Sequence, residues 1–211
     1  LSIRRQRQMC IRDSSNTALG QSLINGDFEN GGNSIGFLIN GAGYSQINPP
    51  TGSSSPGNYS ITTNPQLLNS NFISGVDHTS GTGKMLVVDG NTTPGGRLWS
   101  CTSNGGALTG FTAGTKYTFS YWIKSVTNTG TQANINLFFN PGNVSNLNPS
   151  SPSSLAPLQS QGWVQVSYSF TANATALMIR LYDSNLSALG NDFALDDFSF
   201  KAIIINLSYL I

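Results

Sequence analysis

One pattern dominates this chain: short runs in which apolar and polar residues alternate, closed off by clusters of Gly, Pro, Asn and Ser. A period of two is the period of a strand, whose successive side chains point to opposite faces, and no stretch sustains a helical period instead. The clearest runs are 84–90 (KMLVVDG), 96–103 (GRLWSCTS), 115–126 (TKYTFSYWIKSV), 133–140 (ANINLFFN), 162–172 (GWVQVSYSFTA), 176–184 (ALMIRLYDS) and 192–200 (DFALDDFSF). Upstream, 22–31 (SLINGDFENG) and 58–68 (NYSITTNPQLL) extend the set. About eight or nine strands joined by long polar connections pack better as two antiparallel sheets than as a small barrel. The expected fold is therefore all-β, a two-sheet antiparallel β-sandwich. The soft segments 47–58 and 140–161, rich in Ser, Pro and Asn, read as loops within the domain because strands resume after each.

Alternation also assigns faces. In 115–126, Tyr117, Phe119, Tyr121 and Ile123 share one face, and Thr118, Ser120, Trp122 and Lys124 the other. In 162–172, Val164, Val166, Tyr168 and Phe170 point inward, and in 176–184 Leu177, Ile179 and Leu181 oppose Arg180 and Tyr182. The outward faces are polar, yet they carry Trp122, Lys124, Arg180 and Tyr182.

Acids are scarce and unevenly placed. Of nine Asp and Glu in 211 residues, Asp192, Asp196 and Asp197 fall within 190–200. Asp196 and Asp197 interrupt a half-buried strand built on Phe193, Leu195, Phe198 and Phe200, where an unanswered carboxylate is costly. As neighbours in one strand they are expected on opposite faces, so they cannot form the facing pair of a glycosidase.

Composition narrows the function classes. Charged residues make up 9% of the chain, against roughly 25% in an average soluble domain, so the surface is one of hydroxyls and amides. Hydrophobic residues at 38% suffice for a core. The net charge of +1 conceals +3 in the first fourteen residues and −2 in the remainder, which leaves no basic footprint for nucleic acid. A single histidine, His78, follows Asp77 in GVDHTSGTG with no serine elbow or cysteine nucleophile beside it, and reads as a loop organiser. No glycine-rich phosphate loop precedes a helix. Asp89, Asp183 and Asp192 sit near strand ends, where Asp commonly makes turns. Cys10 and Cys101 show neither a disulfide framework nor metal-ligand spacing.

The ends differ from the body. Residues 1–21 read as a segment outside the domain, and RQMCIRDS within it resembles adapter sequence translated as protein. The module proper spans 22–200, and 201–211 is a tail whose apolar run is about half of what a membrane span requires.

The order of NGDFENG, SGTGKMLVVDG, FTAGTKYTFSYWIKSV, GWVQVSYSFTA, ALMIRLYD and NDFALDDFSF resembles the carbohydrate-binding modules of families four, nine and twenty-two. More broadly it resembles the galactose-binding-like jelly-roll modules of exported Bacteroidetes-type bacterial proteins. The resemblance covers about residues 22–200. It implies a jelly roll, an extracellular or cell-surface location, neighbouring domains in a larger protein, and a structural calcium ion. Carried onto this chain, the implied calcium ligands are Glu29 and Asp196, with backbone carbonyls near Asp27 and around 81–84, and Asp197 as second choice. Phe37 is the nearest aromatic where relatives often place a Trp after the first strand, and 31–60 is rich in insertions, so ligand specificity is where this chain departs from the pattern.

The expected function is non-catalytic carbohydrate binding, with a polysaccharide or glycan as partner and neither nucleic acid nor membrane. Pyranose rings present an apolar C–H face that lies on aromatic rings, and their hydroxyls need amides, carboxylates and guanidinium groups. Trp122, Tyr182 and Arg180, with Trp99 one strand away and Lys124 beside them, supply those types, while Tyr44 and Tyr59 offer rings at the sandwich tip. Alternation does not decide whether that outward face is open or covered. The rival readings are a structural or adhesive spacer of the same fold and, less favoured, a fragment of a glycan-active enzyme. An open aromatic platform separates the first from the second.

Overall fold

The computed structural model describes residues 26–29, 43–101, 106–140 and 142–203. The strand expected over 22–31 lies outside them except for 26–29, which are in a turn. Two sheets form a sandwich. The larger has seven strands in the order β1 (Ser45–Gln46), β2 (Asn58–Thr62), β3 (Met85–Val88), β13 (Phe193–Ala202), β6 (Lys116–Ser125), β10 (Val164–Ala172) and β8 (Val144–Asn148). The smaller has four, β4 (Arg97–Ser100), β12 (Ile179–Asp183), β7 (Asn134–Phe139) and β9 (Ser153–Leu155), and β5 (Leu108–Thr109) pairs with β11 (Ala176–Leu177) alongside. All these pairs are antiparallel apart from β1 with β2. The all-β sandwich expected from the alternation is the fold observed.

Two expectations about connections need correction. The segment 140–161 is not only loop, since β8 and β9 both lie in it and add an edge to each sheet. The strand at 58–68 stops at Thr62, because Pro65 cannot donate to a ladder. Instead Asn64 caps a single helical turn, α1 (Pro65–Leu68), by accepting the Gln66 N–H at 3.1 Å.

The core lies between the sheets. Tyr117, Phe119, Tyr121 and Ile123 face Leu177, Ile179 and Leu181 across it, as alternation assigned them. The Trp99 ring stacks on Phe198 at 4.6 Å and on Phe119 at 5.7 Å, so the indole clamps β4 to the two central strands of the other sheet. Tyr44 and Tyr59 are core residues, 4% and 2% exposed, and are therefore not rings at a binding tip. Val164, expected inward, is exposed at the start of β10.

A second apolar cluster lies on the outer face of the large sheet. Leu68 and Phe72 pack there on Met85, Val87, Val126 and Ala194, with Trp163 at the margin. The segment from α1 to β3 thus roofs part of a face that the alternation alone left open.

Strand β13 carries the feature that organises this roof. Its pairing to β6 runs from Asp196 opposite Trp122 to Ser199 opposite Ser120, so three steps on β13 match two on β6. This is a β-bulge, with Asp197 in the left-handed region at φ 48°. The extra residue lets Phe193 and Leu195 and then Phe198 and Phe200 all enter the same core despite their opposite parity. It also overturns the expectation that Asp196 and Asp197 point to opposite faces. Both carboxylates reach the same covering loop, where Asp197 Oδ1 accepts the Thr79 hydroxyl at 2.7 Å and Asp196 Oδ2 accepts the His78 N–H at 2.8 Å.

Candidate functional site

The outer face of the four-stranded sheet gathers the residue types that recognise sugars. Arg180 and Tyr182 alternate with the buried Ile179, Leu181 and Asp183 along β12, so both point away from the core. Pairing then sets their neighbours: Arg180 lies between Ser100 and Phe138, and Tyr182 lies between Arg97 and Asn136. The Phe138 ring meets Tyr182 edge to face at 6.3 Å, and Phe138 is 39% exposed. Asn136 in turn faces Ser153 on the edge strand β9. Two guanidinium groups, two rings, an amide and hydroxyls therefore share one surface. Among the described residues, Arg97 Nε and Ser100 Oγ on this face are buried with no hydrogen-bond partner.

Trp122 and Lys124 belong to the other sheet, and their outward face is roofed. His78 lies flat on the Trp122 indole at 3.7 Å with 18° between the ring planes. Its Nδ1 is 2.6 Å from Asp197 Oδ2. Lys124 is buried at 9% exposure, donates from Nζ to the Val76 carbonyl at 2.6 Å, and sits 4.5 Å over the Trp163 ring. Burial, only partly offset by Asp196 and Asp77, draws its ammonium down to about 8. Trp163 donates to the same Val76 carbonyl at 3.2 Å. These groups hold the covering loop down.

Three sequence expectations about the ligand face are corrected by this arrangement. Trp99 is fully buried inside the sandwich, because Arg97 and Ser100 rather than Trp99 take the outward positions across from Tyr182 and Arg180. Lys124 is a buried loop anchor. Trp122 is on the outer surface of the opposite sheet from Arg180 and Tyr182, so the five residues do not form one platform. Only Arg180 and Tyr182 come together there, joined by Arg97, Asn136 and Phe138. Phe138 was hidden by its own strand, since Phe138 and Phe139 in NLFFN leave two phases for the alternation.

The edge carrying the implied calcium ligands is rich in oxygen. Asp196 is fully buried; its Oδ2 accepts the His78 N–H at 2.8 Å and its Oδ1 the Asp197 N–H at 2.9 Å. Burial outweighs these bonds and raises its carboxyl to about 7. Asp77 is the contrasting case, because N–H groups of Ser80 and Gly83 overcome its burial and hold it below the usual carboxylate range. Glu29 Oε1 accepts the Lys84 N–H at 2.9 Å, and Asp27 Oδ1 accepts the Glu29 N–H at 3.2 Å. Asp197 has both oxygens engaged, by His78 and Thr79. A carboxylate that accepts an N–H keeps further lone pairs, so Glu29, Asp196 and Asp77 suit a hard cation in kind. Among the described residues no three acidic, histidine or cysteine side chains converge as a ready ligand set.

No family model matches the chain, and no curated protein matches it. Several solved structures are similar to the chain in part. The CBM22-1-CBM22-2 tandem domain of Paenibacillus barcinonensis Xyn10C is similar at 13% identity and a TM-score of 0.49, over 85% of this chain and 45% of that one. The CBM22-1 xylan-binding domain of the same protein is similar at 12% identity and 0.42, over 74% of this chain and 92% of its own length. The EclA C-terminal domain, a sugar-binding protein, is similar at 23% identity and 0.37, over 45% of this chain. The chain spans 63% of that domain and less than half of the tandem.

Proposed function

We propose that the protein is a non-catalytic carbohydrate-binding module whose ligand lies across the outer face of the four-stranded sheet. The observation that carries this reading is the strand pairing that sets Arg180 and Tyr182 among Arg97, Asn136 and Phe138. An apolar sugar face has Tyr182 and Phe138 to lie against, and ring hydroxyls have guanidinium and amide donors around it. The xylan-binding and sugar-binding descriptions of proteins with a similar fold accord with it. No helix among the described residues is long and apolar enough to cross a membrane, and the proposal extends to an exported parent protein carrying this module beside other domains.

Calcium at the edge formed by Glu29 and Asp196 is part of the same proposal. There it would join 26–29, the covering loop and β13, and so act on stability and not touch the sugar.

The test is retention of the protein on insoluble polysaccharides and a glycan array. Wild type is expected to be retained on one polysaccharide class, with Tyr182→Ala and Arg180→Ala each weakening retention about tenfold, the scale of one lost stacking or charged contact. No retention on any glycan by folded protein would leave a spacer domain of the same fold. Equal retention by all three proteins would move the ligand off this face.

A further inference from the structure

At one end of the sandwich a second group of acids surrounds the buried Tyr44, and none of the functions above uses it. Asp183 ends β12, Asp192 precedes β13 and Asp89 follows β3, and all three raise the Tyr44 hydroxyl through their charge, after the larger effect of its burial. No lysine, arginine or histidine among the described residues pairs with any of them. Asp89 is satisfied by neutral donors, the Ser54 hydroxyl at 2.5 Å and the Asn69 amide at 3.3 Å.

Asp183 and Asn191 are the unusual pair. Asp183 is 6% exposed; its Oδ1 accepts N–H groups from Asn134 at 3.1 Å and Asn185 at 3.0 Å, and its Oδ2 has no partner. Asn191 is 1% exposed, and its amide is close enough to the Asp183 carboxylate to favour the charged form as a weak donor, without completing a hydrogen bond to Oδ2. Its Nδ2 is committed to the Asn185 carbonyl at 2.6 Å, which leaves its Oδ1 with no partner as well. Two buried acceptor oxygens that no well-formed hydrogen bond reaches are costly unless something positive lies beside them. Asp192 adds a second carboxylate nearby, held by the Gly90 N–H at 3.0 Å. Gly90 is itself required here: a Cβ on it would overlap the Asn191 carbonyl and lie 2.6 Å from the Asn191 amide carbon. The backbone of 89–90 is thus closed onto 191–192, and the acids cannot be moved apart cheaply.

We propose that Asp183, Asn191 and Asp192 form a site for a hard divalent cation of the calcium type, separate from the edge formed by Glu29 and Asp196. Such a cation accepts two carboxylates and an amide oxygen, with waters or backbone carbonyls completing its shell. It would tie the end of β12 to the start of β13, which belong to different sheets, and so fasten one end of the sandwich.

Asp183→Asn is the informative variant. An asparagine keeps an oxygen for the Asn134 and Asn185 N–H groups and brings an amide donor to the side of Asn191, so it removes the negative charge that would hold the cation while supplying a donor to the stranded acceptor. The experiment is thermal unfolding of chelator-stripped full-length protein against calcium, with terbium emission as an independent binding readout. Wild type should gain on the order of 5–10 °C at a hundredfold excess over Kd. Glu29→Gln and Asp196→Asn should keep a calcium response, whereas Asp183→Asn should lose the part they keep and unfold no lower than stripped wild type. A response unchanged in Asp183→Asn, one abolished by Glu29→Gln or Asp196→Asn alone, or no response to calcium or terbium in wild type would each overturn the site. Failure of glycan retention has no bearing on this readout, so the two proposals stand or fall separately.

Discussion

The imidazole of His78 covers the indole of Trp122, ring centroid to ring centroid at 3.7 Å, and so takes the place on that indole that a sugar ring would need. An outward aromatic on a polar strand is a natural candidate for a carbohydrate platform, and here the loop that carries the only histidine of the chain already occupies it. The face proposed for the ligand and the loop anchor therefore lie on opposite sides of the sandwich.

Trp122→Ala separates these roles. Losing the stacked indole should destabilise the fold by about 1–3 kcal/mol, since a partly buried ring and its aromatic contact are both removed. Retention on polysaccharide should stay within about twofold of wild type, because Arg180 and Tyr182 are on the other sheet. Loss of retention in a variant shown folded by circular dichroism would return the binding site to this face.

Much of this arrangement was legible in the chain, and the limits have physical causes. Alternation in 115–126 and 176–184 identifies the core residues because the pairings of β6 with β10 and of β12 with β7 run without a register shift. It failed at Asp196 and Asp197, where the bulge breaks the period of two. The signal was nonetheless present: Phe193 and Leu195 share one parity and Phe198 and Phe200 the other, and four apolar residues can reach one core only if an extra residue is inserted between the pairs. Trp99 escapes a face assignment because Leu98, Trp99 and Cys101 give no clean alternation, and the register shift between Leu181 and Tyr182 is invisible in sequence. The roof over Trp122 depends on contacts between distant segments, which no local pattern reports.

Asp196→Ala should be the most damaging change to the anchorage of the covering loop on β13. It strands the partly buried N–H groups of His78 and Asp197, and the loss is expected toward the lower end of the about 1–3 kcal/mol that an unsatisfied buried donor costs. His78→Ala removes one side-chain bond and one stack, and about 1–2 kcal/mol is expected. Hydrogen exchange at Ser80 and Gly83, whose N–H groups are held by Asp77, reports the loop directly. Faster exchange there in His78→Ala, with β6 and β10 still protected, is the expected pattern. Unchanged exchange would mean that the histidine rests on the loop and does not hold it.

Trp99→Ala tests the clamp between the sheets. The indole is fully buried and stacks on residues of both β6 and β13, so its removal leaves a large cavity and should cost about 3–5 kcal/mol. Trp99→Phe keeps the stack with Phe198 and should cost less than half of that. A loss for Trp99→Leu equal to that for Trp99→Phe would show that the aromatic contact contributes nothing beyond volume.

The buried acids set the response to pH. Burial raises Asp196 to about 7, and Asp183 and Asp192 to about 6, from an ordinary value of 3.8. Between these values the folded chain binds more protons than the unfolded chain, so stability falls as pH rises from about 4 to about 7. Lys124 acts in the next window: its folded value of about 8 lies below the ordinary 10.5, so above pH 8 the unfolded chain binds the extra proton and stability climbs again. Metal-free protein should therefore show a Tm minimum between about pH 7 and 8, with Tm at pH 5 higher on the order of 5–10 °C. Asp196→Asn should flatten the upper part of the acid limb and Lys124→Met the alkaline one. Saturating calcium should remove much of the remaining acid limb, because a bound cation keeps Asp183 and Asp192 ionised at no cost in protons. A Tm that rises monotonically from pH 5 to 8 in the metal-free protein would show that these carboxylates are charged and compensated by groups other than those described.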